Sequence, residues 1–84
     1  EHEKGHWRAC CAALAERYAL SPRETEVFYY LAKGRGIEHI QNKLYISSHT
    51  VKTHTYNIYR KMNVGSREEL LDIIEEEKRA QRGE

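Results

Sequence analysis

The sequence lacks the features that would mark a membrane or secreted protein. No apolar run approaches the roughly 20 residues that span a bilayer, and the first twenty residues do not follow the basic, apolar and small-residue order of a signal peptide. The only cysteines, Cys10 and Cys11, are adjacent, so a disulfide between them would be strained. These absences predict a cytoplasmic domain with reduced thiols, although the full-length protein could be attached to a membrane.

Motifs of catalysis and cofactor binding are also missing. The sequence contains no nucleophile elbow, no glycine-rich phosphate loop and no metal-binding motif. Glu24 and Glu26 could suggest a carboxylate pair, but side chains two apart on a helix point about 200° apart. We therefore predict that the domain is not an enzyme and that it has no cofactor, metal ion or small-molecule ligand.

Acidic residues are absent from a long central segment. No Asp or Glu occurs from His39 to Arg67, whereas the same segment has five Lys and Arg residues. The balance reverses from Ser66 to Glu77, where six acidic residues accompany Arg67 alone. The net charge of +1 conceals this polarity, and the cationic segment indicates an anionic partner.

Helical signals cover most of the chain. Residues 4–19 have an apolar stripe at helical spacing, formed by Trp7, Cys11, Leu14 and Tyr18. A capping box follows, in which Ser21 is the N-cap, Pro22 the first helical residue and Glu24 the third. It predicts a helix from about 22 to 33, which Gly34 ends.

Three further helices are predicted. The first, about 37–44, would bury Ile37, Ile40 and Leu44. Ser47 would cap a helix over 48–62 and Ser66 a last helix from 67 to about 79, where Leu70, Leu71 and Ile74 suffice for the core. The predicted fold class is all-α, with five helices and no strand.

The segment 46–62, ISSHTVKTHTYNIYRKM, is rich in β-branched residues and could suggest a strand. Its period excludes this, because alternate residues of 50–57 form no apolar face. At 100° per residue, Val51, Thr55, Ile58 and Met62 fall within about 40° of one another. Burial of each apolar side chain is worth roughly 1.5–3 kcal/mol, which exceeds the few tenths of a kcal/mol that a β-branched residue costs a helix.

The opposite side of this predicted helix carries only hydrogen-bond donors and no acid. We call these side chains the donor arc: His49, Thr50, Lys52, Thr53, Tyr56, Asn57, Arg60 and Lys61. Solvated helix faces usually mix both signs of charge, so the donor arc favours an anionic partner. A helix-turn-helix, in which the second helix enters the major groove of DNA, fits this pattern. The alternative is a protein-interaction adaptor that uses the same face to bind an acidic protein.

Two long segments, LSPRETEVFYYLAKG and IQNKLYISSHTVKTHTYNIYRKMNVGSREELL, resemble the DNA-binding domain of LuxR-type bacterial transcriptional regulators over about residues 20–74. The resemblance implies a four-helix domain, here with an additional N-terminal helix, whose third helix, 48–62, lies in the major groove of double-stranded DNA. It implies 1–19 as an N-terminal helix or linker, 20–80 as the DNA-binding domain and 81–84 as a frayed tail. Such domains usually end a longer regulator, so an input domain absent from this chain is expected.

The resemblance also implies roles for single residues. Lys52, Thr53 and Tyr56 would face base edges and nearby phosphates, while Ser47 and the first helical N–H groups would lie near a phosphate. The residues expected to hold the DNA backbone are Thr50, Asn57, Arg60 and Lys61. His54 would be structural, because it and His49 point about 140° apart on a helix and are therefore not paired metal ligands. The last helix would form a homodimer on DNA, with Ile73 as the contact.

Overall fold

The computed structural model describes residues 2–83, with side chains from Trp7 onward, and in this part of the chain the regular structure is α-helix, without a strand. Its five helices are α1 (His2–Arg17), α2 (Pro22–Ala32), α3 (Ile37–Leu44), α4 (Ser48–Met62) and α5 (Arg67–Gln81). The predicted all-α class is confirmed. Of the predicted tail, Gln81 belongs to α5, and Glu84 lies outside the described residues.

The helix starts follow the predicted caps. Ser21 Oγ accepts the Glu24 N–H (3.1 Å), and Glu24 Oε1 accepts the Ser21 N–H (2.9 Å), which completes the capping box. Ser66 Oγ accepts the Glu69 N–H (3.2 Å), but the Glu69 carboxylate accepts the N–H of Gly65 instead of that of Ser66. The last cap is therefore made one residue further out than a regular box.

A residue in the left-handed backbone conformation follows each of the helices α1 to α4, and only one of these residues is a glycine. Gly34 (φ 80°) follows α2 and Asn63 (φ 57°) follows α4, and both residue types tolerate this conformation. Ala19 (φ 58°) and Tyr45 (φ 57°) take the same role after α1 and α3. In each case the following N–H closes a bond to a carbonyl five residues back, as Leu20 N does to Ala15 O at 2.9 Å. This explains why α1 stops at Arg17 rather than at residue 19.

One core lies among the helices. α4 contributes Val51, Ile58 and Met62, all buried, and α2 contributes Val27, Phe28 and Leu31. α3 packs on α4, and α1 packs on α2 and α5. Cys10 and Cys11 are both fully buried on α1. The prediction for Ile37 is wrong, because its side chain is 39% exposed at the start of α3. Helical spacing placed it on the apolar face, but the first turn of α3 extends beyond the core.

None of the five described helices has both the length and the apolar character needed to cross a membrane.

Candidate nucleic-acid interface

Ser47 caps the start of α4. Ser47 Oγ accepts the Thr50 N–H at 3.1 Å and lies 3.0 Å from Thr50 Oγ1. The first turn contains no acidic residue. The amino-terminal end of a helix is electrically positive and favours anions, and here no carboxylate of that turn neutralises it.

The donor arc faces away from the core over the length of α4. Val51, Ile58 and Met62 are buried on the inner side, which leaves the predicted base-facing residues outside. Tyr56 is 68% exposed. The exposed members of the arc are His49, Lys52, Thr53, Tyr56 and Arg60, while Thr50, Asn57 and Lys61 are half-buried along its edge. The fold thus brings together the residues that the sequence placed on one side of this helix.

Lys61 forms an ion pair within the protein, and the sequence did not predict this contact. Its Nζ donates to Glu24 Oε1 at 2.8 Å and to the Ala19 carbonyl at 3.1 Å. Burial alone would raise the pKa of Glu24, but hydrogen bonds from Lys61 and from the Ser21 N–H outweigh it and hold the pKa below its usual value. The capping box was recognisable in the sequence, but the contact between Glu24 and Lys61, which are 37 residues apart, was not.

Two polar groups lie beneath the arc. Thr55 Oγ1 donates to the Val51 carbonyl at 2.8 Å, which satisfies the hydroxyl inside the helix. His54 Nδ1 is buried and makes no hydrogen bond to the described protein atoms. Within the described residues no three His, Cys, Asp or Glu side chains are grouped as metal ligands.

A groove of about 320 Å³ runs beside the donor arc, between α4, the start of α3 and the start of α5. Lys52, Thr55 and Tyr56 line it from α4, Ile37 from α3 and Arg67 from α5. The interpretation of the sequence did not include Arg67 among the interface residues. Its place at the end of the acid-free segment was the available signal, but that position alone does not show that the start of α5 returns to α4.

The predicted dimer residue is less accessible than expected. Ile73 is half-buried and packs against the core, as does Leu71, whereas Leu70 and Ile74 are buried. Next to them Arg17 Nη2 donates to Glu77 Oε1 at 2.7 Å, which joins α1 to α5. α1 therefore occupies part of the surface of α5.

Comparison with known proteins places this geometry in a family. The family model described as bacterial regulatory proteins, luxR family, matches residues 18–74. The oxygen regulatory protein NreC of Staphylococcus carnosus (strain TM300) is 42% identical over 53 residues, which are 63% of this chain and 24% of that protein. The nitrate/nitrite response regulator protein NarP of Escherichia coli (strain K12) is 46% identical over 48 residues, 57% of this chain and 22% of that protein.

A third relative, the uncharacterized response regulatory protein YgeK of Escherichia coli (strain K12), is 37% identical over 65 residues, 73% of this chain and 44% of that protein. The chain thus spans about a quarter of the length of NreC and NarP. No solved structure matches. The family and these relatives are described as regulatory proteins. The chain therefore belongs to the luxR family of bacterial regulatory proteins and carries that family's helix-turn-helix DNA-binding domain at residues 18–74.

Proposed function

We propose that this domain reads a specific DNA sequence by inserting α4 into the major groove, as the output domain of a transcriptional regulator. The observation that carries the proposal is the exposed, acid-free donor arc on a helix whose inner side is buried. α4 has 15 residues, so it is about 22 Å long and can cross a groove about 12 Å wide.

The exposed residues of α4 are assigned to bases or to phosphates by their positions along the helix. Lys52 and Thr53 lie on the second turn of α4 and Tyr56 begins the third, in the amino-terminal half of a recognition helix, which meets base edges. Lysine can donate to guanine, and the Thr53 methyl or the Tyr56 ring can contact a thymine methyl group. Arg60, one turn further on, is exposed and supplies a charge for a phosphate.

The half-buried residues at the edge of the donor arc are assigned to the DNA backbone. Thr50 and Asn57 are half-buried, so they reach a phosphate along the side of α4 rather than a base edge. Ser47 contributes to phosphate binding indirectly, because its hydrogen bond to the Thr50 N–H orders the first turn of α4. Lys61 was predicted among these contacts; because its ammonium group binds Glu24 and the Ala19 carbonyl, we assign it to the fold rather than to the DNA.

The test is binding to duplexes selected from a random library, compared with random duplexes at two salt concentrations. We expect salt-dependent binding to both and tighter binding to the selected sequence. Lys52→Ala or Thr53→Ala should change which bases are selected. A domain that binds no duplex in a salt-dependent way would overturn the proposal and favour an adaptor that uses α4 to bind an acidic protein.

We also propose that the domain works as a homodimer within a longer, cytoplasmic protein. The chain spans about a quarter of NreC and NarP, which supports a longer protein; in it, residues 1–19 would form the helix or linker between an input domain and the domain at 20–80. Ile73 flanks the buried stripe of α5 and is half-buried, so part of its apolar surface is open to a partner. Sedimentation on a duplex with two half-sites tests this, and a monomer both free and on that duplex would refute it.

A further inference from the structure

A second cationic surface lies away from the donor arc. A cleft of about 260 Å³ opens where α1 crosses α2 near the end of α3. We call it the α1–α3 cleft; its principal lining residues are Trp7, Arg8, Tyr29, Tyr30, Lys33 and Leu44. No residue of α4 lines it, so its occupant need not compete with DNA for the recognition helix.

Aromatic rings form the floor of the cleft and cations stand over them. The Trp7 and Tyr29 ring centroids are 5.5 Å apart at 50°, a favourable tilted arrangement. Lys33 Nζ lies 4.9 Å from the Trp7 ring centroid, and the Arg8 guanidinium carbon lies 6.0 Å from that of Tyr29. These distances are those of cation–π contacts, which hold the two charges at the mouth of the cleft.

Two further cations lie near His39 on this side of the molecule: Arg35 precedes α3, and Lys43 lies in its last turn, whereas Glu38 is the acidic residue of α3. The His39 ring meets the Tyr30 ring edge-on at a centroid distance of 5.5 Å. Lost hydration and the nearby charges of Arg35, Lys43 and Lys33 hold the pKa of His39 below its usual value. The cations therefore converge on one side of the molecule.

These cations lack intramolecular counterions among the described side chains. None of Arg8, Lys33 or Lys43 has a described carboxylate within 4.0 Å. Glu26 also lines the cleft, but its Oε1 already accepts from Arg23 Nη1 at 2.9 Å. Among the described side chains, this cationic rim above aromatic rings has no carboxylate partner of its own, and it is suited to a ligand that is both acidic and apolar.

We propose that the α1–α3 cleft binds an acidic protein segment that inserts one apolar side chain into the recess lined by the Trp7 and Tyr29 rings and pairs its carboxylates with Arg8 and Lys33. A recess of about 260 Å³ admits one or two side chains. A duplex presents a row of phosphates without apolar projections, which fits the open donor arc better than this recess. The proposal concerns a second surface and stands whether or not α4 binds DNA.

The experiment uses the whole chain and short synthetic peptides. The first peptide is rich in Asp and Glu around a single Phe, the second has Ser in place of the Phe, and the third has Lys in place of every acid. Trp7 is the only tryptophan of the chain, so its emission reports occupation of the cleft, and anisotropy of a labelled peptide gives the affinity. We expect saturable binding of the first peptide alone, with a change in Trp7 emission and weaker binding at high salt.

Variants localise the site. Lys33→Glu and Arg8→Glu should each weaken the first peptide about tenfold, whereas Arg79→Glu, an exposed change on α5, is the matched control and should leave the affinity unchanged. Circular dichroism verifies that each variant is folded. Duplex DNA should not displace the peptide.

Three results would overturn the proposal. Absence of saturable binding by the first peptide excludes the site. Equal binding of the Ser-containing peptide shows charge attraction without insertion into the cleft. Displacement by duplex, together with weaker duplex binding by Lys33→Glu, assigns the surface to nucleic acid instead. None of these results bears on α4, whose proposed role is tested by Lys52→Ala and Thr53→Ala.

Discussion

Lys61 Nζ lies 2.8 Å from Glu24 Oε1, so the last turn of the recognition helix α4 is joined to the first turn of α2. The Glu24 side chain is only 7% exposed, and its carboxylate also accepts the Ser21 N–H within the capping box. One carboxylate thus caps α2 and anchors α4. The contact orients the donor arc relative to the rest of the domain, because α2 and α4 pack directly on each other.

Replacing Lys61 should therefore lower stability. Lys61→Met keeps the aliphatic stem but leaves the Glu24 carboxylate without its cation. Loss of one partner of a fully buried pair costs about 3–5 kcal/mol; Lys61 is 29% exposed, so we expect a smaller loss of about 1–3 kcal/mol in the free energy of unfolding. Urea denaturation measures it. Lys43→Met is the control and should change stability by less than about 0.5 kcal/mol; equal stability of the two variants would contradict the anchoring role.

The two neighbouring cations at the end of α4 should differ in DNA binding. Arg60 is exposed, whereas Lys61 is paired. Arg60→Ala should flatten the dependence of the logarithm of affinity on the logarithm of salt by about one unit of slope. Lys61→Met should change that slope less, and Arg79→Ala on α5 should not change it. Gel shifts across a salt series measure the slopes; a larger effect of Lys61 than of Arg60 would reverse the assignment.

Glu77 should make stability sensitive to acid. Hydrogen bonds from Gln81 and then from Arg17 hold its pKa below the usual value near 4.5. Folding therefore favours the ionised form: the stabilisation is complete above the unfolded-state pKa and is lost as pH falls from there through the lower folded-state pKa. Glu77→Gln should be less stable than the wild type at neutral pH, but the difference should shrink in acid. Urea midpoints at about pH 7 and about pH 3 compare the two; a constant difference would exclude this linkage.

Tyr45 should respond to the shape of its replacement rather than to the loss of its ring. The residue is 91% exposed and has φ 57° and ψ 48°, in the left-handed region. Because a branched side chain is disfavoured there, Tyr45→Val should destabilise the domain by about 1 kcal/mol relative to Tyr45→Ala. Tyr45→Asn should be at least as stable as the wild type. Thermal denaturation of the three variants gives the order; a Val variant as stable as the Asn variant would show that this turn is not strained.

The α1 thiols should be inert in the folded protein. Burial raises the pKa of Cys11 to about 12, and burial also raises that of Cys10. The thiolate is the reactive form, so an aromatic disulfide reagent at about pH 8 should react only as fast as α1 leaves the core. Full reaction in denaturant is the positive control. Rapid reaction of the native protein would show that α1 is not docked as described.

Local signals in the sequence were sufficient for the elements and for one side of the interface. Capping residues such as Ser21, Ser47 and Ser66 determine where helices begin, because their side chains satisfy N–H groups three residues away. The helical period of Val51, Ile58 and Met62 determines which side of α4 is buried, and the donor arc follows on the opposite side. These relationships act within a few turns of one helix, and they can therefore be predicted from the sequence.

Relationships between distant segments depended on the tertiary structure. The Lys61–Glu24 contact, the return of Arg67 to the groove beside α4 and the tilted packing of Trp7 on Tyr29 each join separate helices. Their distances follow from the helix crossing angles and from the positions at which the chain reverses. Two of those reversals use Ala19 and Tyr45, residue types that do not predict a left-handed turn. The order of residues thus determined the helices and the chemistry of their faces, whereas packing determined which charges are already paired inside the protein and which are left for a partner.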